Sequence, residues 1–257
     1  MKKAVFDPGI KIVKEPMDKN VEDYTASRFI LREDPSRTDF VFDDIFRNHN
    51  WTSRPFEYRW CENFVFPRDV VLDAASGICH PLKFFLAKTC QEVHACDMDP
   101  RILSLQEIKR DVADVFGPEA LTHVPDTLLE KIIYQRCRLT DMHYSEKMFD
   151  KIFCISVLEH LDDVFKKSRI PFRFARWLPF LKKDIFLSLQ EFKRILKDDG
   201  LMVLTFDHPR VDLRYLMDIL EALSLKPIGP IDLHLDERAL YAPEKKLHFF
   251  RLAVTKC

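Results

Sequence analysis

The stretch "VVLDAASGICHPLKFFLA", Val70 to Ala87, decides the fold. Its opening residues are apolar enough for a strand buried on both faces, and its closing residues suit a helix. Between them the chain turns through a single glycine, Gly77. A strand that opens into a helix through Asp-x-x-Ser-Gly is where α/β proteins hold a nucleotide-like ligand.

Working outward from that turn, the pattern repeats from Pro67 onward. Strands are predicted at "VVLDA" (70–74), "EVHACD" (92–97), "IIYQRC" (132–137), "DKIFCISV" (150–157) and "LMVLTFD" (201–207). Helical stretches lie between them: "PLKFFLAKT", "PRILSLQEIKRDVADVF", "PEALTHVPDTLLEKI" and "DIFLSLQEFKRILKDD", the last stopping at Asp199-Gly200 as a C-cap. Apolar strands alternating with amphipathic helices predict a doubly wound, mostly parallel sheet covered on both faces. A further helix is expected near 211–224. The segments "PIGPIDLHL" and "LHFFRLAVTKC" read as a closing pair of strands.

Two regions depart from this rhythm. Residues 1–66 are polar and aromatic, and read as an N-terminal lid or cap of irregular segments and short helices before a core spanning 67–257. Phe40, Phe42, Ile45 and Phe46 fall at helical spacing, and Thr52 or Ser53 caps a helix carrying Pro55, Phe56, Tyr58 and Trp60. Residues 161–185, rich in Arg, Lys, Phe and Trp, exceed what a crossover needs. They read as an insertion: a cap with Phe172, Phe174 and Trp177 packed inward, or a substrate wall for an acidic or aromatic small molecule.

Composition narrows the function. The 257 residues are 47% hydrophobic and 32% charged, with net charge −1, so no global basic field favours a nucleic-acid partner. No apolar run spans a bilayer, and the N-terminus lacks the apolar segment of a signal peptide, which predicts a cytoplasmic protein with no membrane partner. The seven scattered cysteines, without a Cys-x-x-Cys, read as reduced and mostly buried thiols.

Ligands of an open parallel sheet sit beyond the strand carboxyl ends, so the residues after each strand belong together. After the first strand come Asp73, Ala74, Ala75, Ser76 and Gly77. After the second come Asp97 and Met98, after the third Asp141 and Met142, after the fourth Ser156 to His160, and after the fifth Asp207 and His208. Asp97, 24 positions after Asp73, can accept from both hydroxyls of a ribose, while Asp99 caps the following helix. Asp141 can accept from an adenine amine, with the Met142 N–H offered to a ring nitrogen. Gly77 admits close backbone approach or simply makes the turn. Ala75 and Cys79 stand where richer loops carry glycine. A diphosphate needs several backbone N–H groups, so this turn favours an adenosine linked to an amino acid over a dinucleotide.

In order and spacing, "VVLDAASG", "VHACDMDP", "LTDM", "FDKIFCISVLEHL" and "EFKRILKDDGLMVLTFD" resemble class I S-adenosylmethionine-dependent methyltransferases over residues 67–207. The resemblance implies about seven strands with the last antiparallel, and S-adenosyl-L-methionine as cofactor. "TSRPFEYRWCENF" resembles a segment preceding the core in some bacterial members, a lid in which Arg54 pairs with the cofactor's methionine carboxylate and Tyr58 lines the pocket. Methyl transfer to an oxygen or nitrogen of a small-molecule acceptor is then the expected activity, with His160 and His208 as candidate bases and His80 as a local structural contact. Glu159 and Asp207 can join a histidine on a divalent metal, but the spacing is that of no recognised metal site and no metal is expected. The rival readings are a nicotinamide-dependent oxidoreductase, which lacks its Gly-x-Gly-x-x-Gly here, and a non-catalytic cofactor-binding protein of the same fold.

Overall fold

The computed structural model describes residues 24–37, 51–161 and 183–257. The expected strands form: β2 (Val70–Ala74), β3 (Glu92–Asp97), β4 (Ile132–Arg136), β5 (Phe149–Ile155) and β6 (Leu196–His208). Two-residue β1 (Arg28–Phe29) precedes them, and β7 (Leu225–Pro227), β8 (Tyr241–Ala242) and β9 (Leu247–Lys256) follow. The sheet order is β1-β9-β6-β5-β2-β3-β4, with β7 and β8 also pairing to β9. Strands β2 to β6 run parallel, and β9 lies antiparallel to β6. From β2 the chain steps outward through β3 and β4, then returns to β5 on the other side. The order therefore reverses between β2 and β5, where a ligand crevice belongs.

Alternation along the strands divides the core into two layers. Leu72, Ala74, Cys154 and Met202 face α5 (Lys183–Ile195) and α6 (Leu213–Ala222). Val71, Phe153, Ile155 and Val203 face α1 (Arg54–Cys61), α2 (Leu82–Thr89) and α3 (Leu105–Phe116). Burial of a phenylalanine as complete as that of Phe84 or Phe153 contributes about 1.5–3 kcal/mol. Asp73 shares the register of Val71, and so points into the α1–α2 layer rather than away from it. All seven cysteines are free thiols, and Cys61, Cys79, Cys96, Cys137 and Cys154 are buried.

Several sequence expectations are corrected. Residues 28–29 of the lid segment add an edge strand to β9. The predicted helix over 100–116 breaks: Asp99 caps a 3-10 turn by accepting from the Arg101 N–H, and Ser104 then caps α3 afresh. The 118–132 stretch splits at Pro125 into a 3-10 turn and α4 (Asp126–Leu129). Helix α5 stops at Ile195 rather than at Asp199-Gly200, because Leu196 already pairs with Phe149 of β5. Gly200 is a close-packing position, not a cap: a Cβ there would meet the Leu196 side chain at 2.7 Å. The closing partner of β9 is Leu225–Pro227 rather than the stretch "PIGPIDLHL". The helix expected at Phe40, Phe42, Ile45 and Phe46 lies outside the described residues, as does the insertion carrying Phe172, Phe174 and Trp177. Among the described residues no helix is long and apolar enough to cross a membrane.

Candidate functional site

The turn after β2 is built without a glycine series. Ala75 (φ 55°) and Gly77 (φ 61°) both adopt the left-handed region, which costs a residue with a Cβ about 1–2 kcal/mol. Side chains hold the strained loop. The Gly77 N–H donates to Asp97 Oδ2 at 2.9 Å. From α2, the fully buried Lys83 ammonium donates to the carbonyls of Ser76 (3.3 Å), Gly77 (2.9 Å) and His80 (2.9 Å). Burial lowers the Lys83 pKa to about 8, against the pull of Asp73. Asp73 is in turn pushed up to about 7 by burial, against the pull of Lys83, and its Oδ2 has no hydrogen-bond partner among the described residues. Sequence inspection missed Lys83, because a lysine in the first turn of an amphipathic helix reads as solvated.

At the end of β3, Asp97 Oδ1 accepts from the Asp99 N–H at 2.9 Å. Each Asp97 oxygen thus holds one backbone donor and keeps a second lone-pair direction. Met98, 56% exposed, presents an apolar side chain beside it. Asp97 ends β3 and Asp141 follows the parallel neighbour β4, so both lie toward the same edge of the sheet. The Met142 N–H is not open to a ligand: it donates to Glu191 Oε2 at 3.0 Å, and Arg194 of α5 takes the Met142 carbonyl at 2.7 Å. The Met142 side chain is buried in the core. Because α5 satisfies both backbone groups, the Met142 N–H does not serve a ring nitrogen as the sequence suggested.

The lid helix α1 buries Glu57, Tyr58, Trp60 and Cys61 on one face. Ser53 occupies its N-cap position and accepts from the Phe56 and Glu57 N–H groups through its carbonyl, not its side chain. Glu57 has no exposed surface. It accepts from Arg54 (2.6 Å), Ser156 Oγ (2.5 Å) and Thr205 Oγ1 (2.7 Å). Burial opposes its charge, but Arg54 and the two hydroxyls hold the carboxyl below its ordinary value. Burial likewise opposes the Arg54 charge, and Glu57 outweighs it, raising the guanidinium further. Arg54 and Ser156 therefore face the site already engaged with Glu57. No local sequence pattern marks this hub, because two of the Glu57 donors come from Ser156 and Thr205 far along the chain.

Over Glu57 opens a cavity of about 310 Å³ whose wall includes Arg54, His80, Ser156, His160, Asp207 and Lys245. Trp51 stacks on His80 with centroids 4.3 Å apart, and Tyr58 Oη lies 3.1 Å from His80 Nδ1. His80 thus belongs to the cavity wall as well as to the turn. His160 is exposed on it. His208 does not reach it: successive β6 residues face opposite sides, so Asp207 lines the cavity while His208 packs edge-on against Phe29 at 5.3 Å. Beside Asp207, the buried Glu159 accepts from the Asp207 N–H at 3.3 Å through Oε1, and its Oε2 has no partner among the described residues. Burial, followed by the neighbouring Asp207 charge, pushes the Glu159 carboxyl up to about 8.

No family model matches the chain, and no curated protein matches it in sequence. Solved structures do resemble it. The 1,6-didemethyltoxoflavin-N1-methyltransferase of Burkholderia thailandensis, with bound 1,6-didemethyltoxoflavin and S-adenosylhomocysteine, superposes with TM-score 0.50 at 16% identity, over 83% of this chain and 81% of that one. The magnesium protoporphyrin IX methyltransferase of Synechocystis PCC 6803 gives 0.49 at 15%, over 86% and 85%. A TehB-like S-adenosylmethionine-dependent methyltransferase of Corynebacterium glutamicum gives 0.47 at 16%, over 78% and 87%. At such identities the likeness is one of fold: the chain has the Rossmann-like fold of class I methyltransferases.

Proposed function

We propose that the chain is an S-adenosyl-L-methionine-dependent methyltransferase acting on an oxygen or nitrogen of a small molecule. The observation that carries this reading is the pair of carboxylates, Asp73 with an unpartnered buried oxygen and Asp97 with free lone pairs, flanking a left-handed turn at the switch point. The residues fit an adenosine joined to an amino acid. Asp97 takes the ribose hydroxyls, Met98 covers the base with Asp141 on the same edge, and Ala74, Ala75, Ser76 and Gly77 form the backbone beneath. Asp73 offers its open oxygen to an ammonium. Arg54, screened by Glu57, faces the carboxylate end beside Ser156.

When bound, the cofactor supplies an electrophilic methyl group on a sulfonium. The chain's part is to place the acceptor in the cavity, to exclude water with the Trp51–His80 stack, and to receive the acceptor's proton on the exposed imidazole of His160. His208, packed on Phe29 outside this cavity, has no part in the step.

Calorimetry with S-adenosylhomocysteine tests the cofactor assignment. Asp97→Ala is expected to weaken binding by about 1–3 kcal/mol, whereas Asp99→Ala, which loses a cap and an exposed pair with Arg101, leaves it unchanged. Equal affinity in the Asp97 variant removes the ribose assignment. Incubation with methyl-labelled cofactor and fractionated metabolites tests turnover, which His160→Ala lowers about 10²-fold or more with cofactor affinity retained. Binding without label transfer to any fraction supports the non-catalytic reading instead.

A further inference from the structure

We propose that Glu159, His160 and Asp207 form a site for a divalent cation in the wall of the cavity. One carboxylate oxygen from each acid and one ring nitrogen of His160 lie within 4.8 Å of one another. The chain brings them together simply: Glu159 and His160 follow β5, Asp207 ends the adjacent parallel strand β6, and the Asp207 N–H anchors Glu159 Oε1.

The independent sign of a ligand is Glu159 itself. It is only 6% exposed, yet Oε2 meets no donor among the described residues. A buried carboxyl oxygen that meets no donor is an unmet polar group, and a bound ligand can satisfy it. The cations nearby donate elsewhere: Arg54, whose charge also reaches Glu159, is bonded to Glu57 at 2.6 Å, and Arg210 reaches Asp207 Oδ2 at 3.2 Å. Lys245 acts on Asp207, not as a partner of Glu159. An organic ammonium would also neutralise the two acids, but it makes no use of an imidazole nitrogen at the same point. Two carboxylates and one imidazole suit Mn²⁺, Mg²⁺, Fe²⁺ or Zn²⁺, bound at about 2.0–2.2 Å. Three protein ligands leave further coordination positions, on the side of the 310 Å³ cavity. A ligand bearing an oxygen anion can complete the shell there.

This site stands whether or not the chain transfers methyl groups, and with the cation present His160 is a ligand rather than a base. The test uses the full chain stripped with a chelator and desalted, titrated with Mn²⁺ and followed by loss of the free-ion paramagnetic resonance signal. One equivalent is expected to bind saturably below 1 mM on the scale of about micromolar to hundreds of micromolar constants. Glu159→Gln, an isostere that removes a buried charge and keeps the fold, weakens binding at least tenfold. The surface substitution His160→Ala does the same, and Asp141→Asn leaves it unchanged. Absence of saturable Mn²⁺ binding overturns the proposal, as does binding indifferent to both Glu159→Gln and His160→Ala. Displacement of no metal but saturable uptake of ethylammonium, lost in Glu159→Gln, shows instead a substrate-ammonium site and also overturns it.

Discussion

Glu57 holds a charge with no surface exposed to water, and three donors keep it there. Removing it leaves Arg54 as a half-buried cation without its partner and strips Ser156 and Thr205 of their shared acceptor. Glu57→Ala is expected to cost about 3–5 kcal/mol, read from urea denaturation, since breaking a buried pair costs more than the pair contributes. Glu57→Gln retains an acceptor for the hydroxyls and falls between. At this scale the sequence was uneven. Asp73 and Asp97 were legible because an acidic residue ending a buried apolar strand has few structural uses. Glu57 was not, because two of its three partners, Ser156 and Thr205, lie 99 and 148 positions away and no local pattern announces them. His208 misled for the opposite reason: its neighbours in "FDHPR" suggested a strand-end ligand, but the period of two along β6 gives the cavity to Asp207.

The first turn of α2 does for the ligand loop what extra glycines do elsewhere. Lys83 reaches back to three carbonyls, so a loop with Ala75 in a left-handed conformation is held from inside the core. Lys83→Met keeps the bulk and the apolar contacts but removes the donors and the counter-charge of Asp73. It is expected to lower unfolding free energy by about 1.5–3 kcal/mol and to weaken nucleoside binding as well, measured by denaturation and calorimetry on the same protein. A variant more stable than the parent shows that burial of the ammonium outweighs its bonds. Element type was readable in the sequence wherever mostly apolar runs alternated with amphipathic ones, as in β2, β3 and β5. Element ends were not. The α5 helix stops at Ile195 for a tertiary reason, the pairing of Leu196 with Phe149, and the pattern "RILKDDG" mimics a capped end four residues later. The 3-10 turn before α3 was hidden because Asp99 and Ser104 are both good caps and the sequence does not say which begins the helix.

Across the whole molecule, the pH dependence of stability carries the mark of the site. Asp73 has its pKa raised to about 7, so between roughly pH 4 and pH 7 the native state keeps a proton that the unfolded chain has released. Its contribution therefore favours folding at low pH and fades as pH rises through that window. Denaturation of wild type and Asp73→Asn over pH 4.5 to 8.5, in chelator, is expected to show the stability difference shifting toward the Asn variant as pH increases, about 1.4 kcal/mol per pH unit at most. A difference independent of pH shows that Asp73 is ionised throughout. The overall architecture was the most legible level of all, since alternating buried strands and amphipathic helices allow few arrangements. What the pattern concealed is how much of the sheet meets one segment. Strand β9 pairs with β1, β6, β7 and β8, elements drawn from both ends of the sequence. During synthesis all four leave the ribosome before it, so the nascent chain holds an open β6 edge until residues 247–256 emerge, and β1 finds its partner only then.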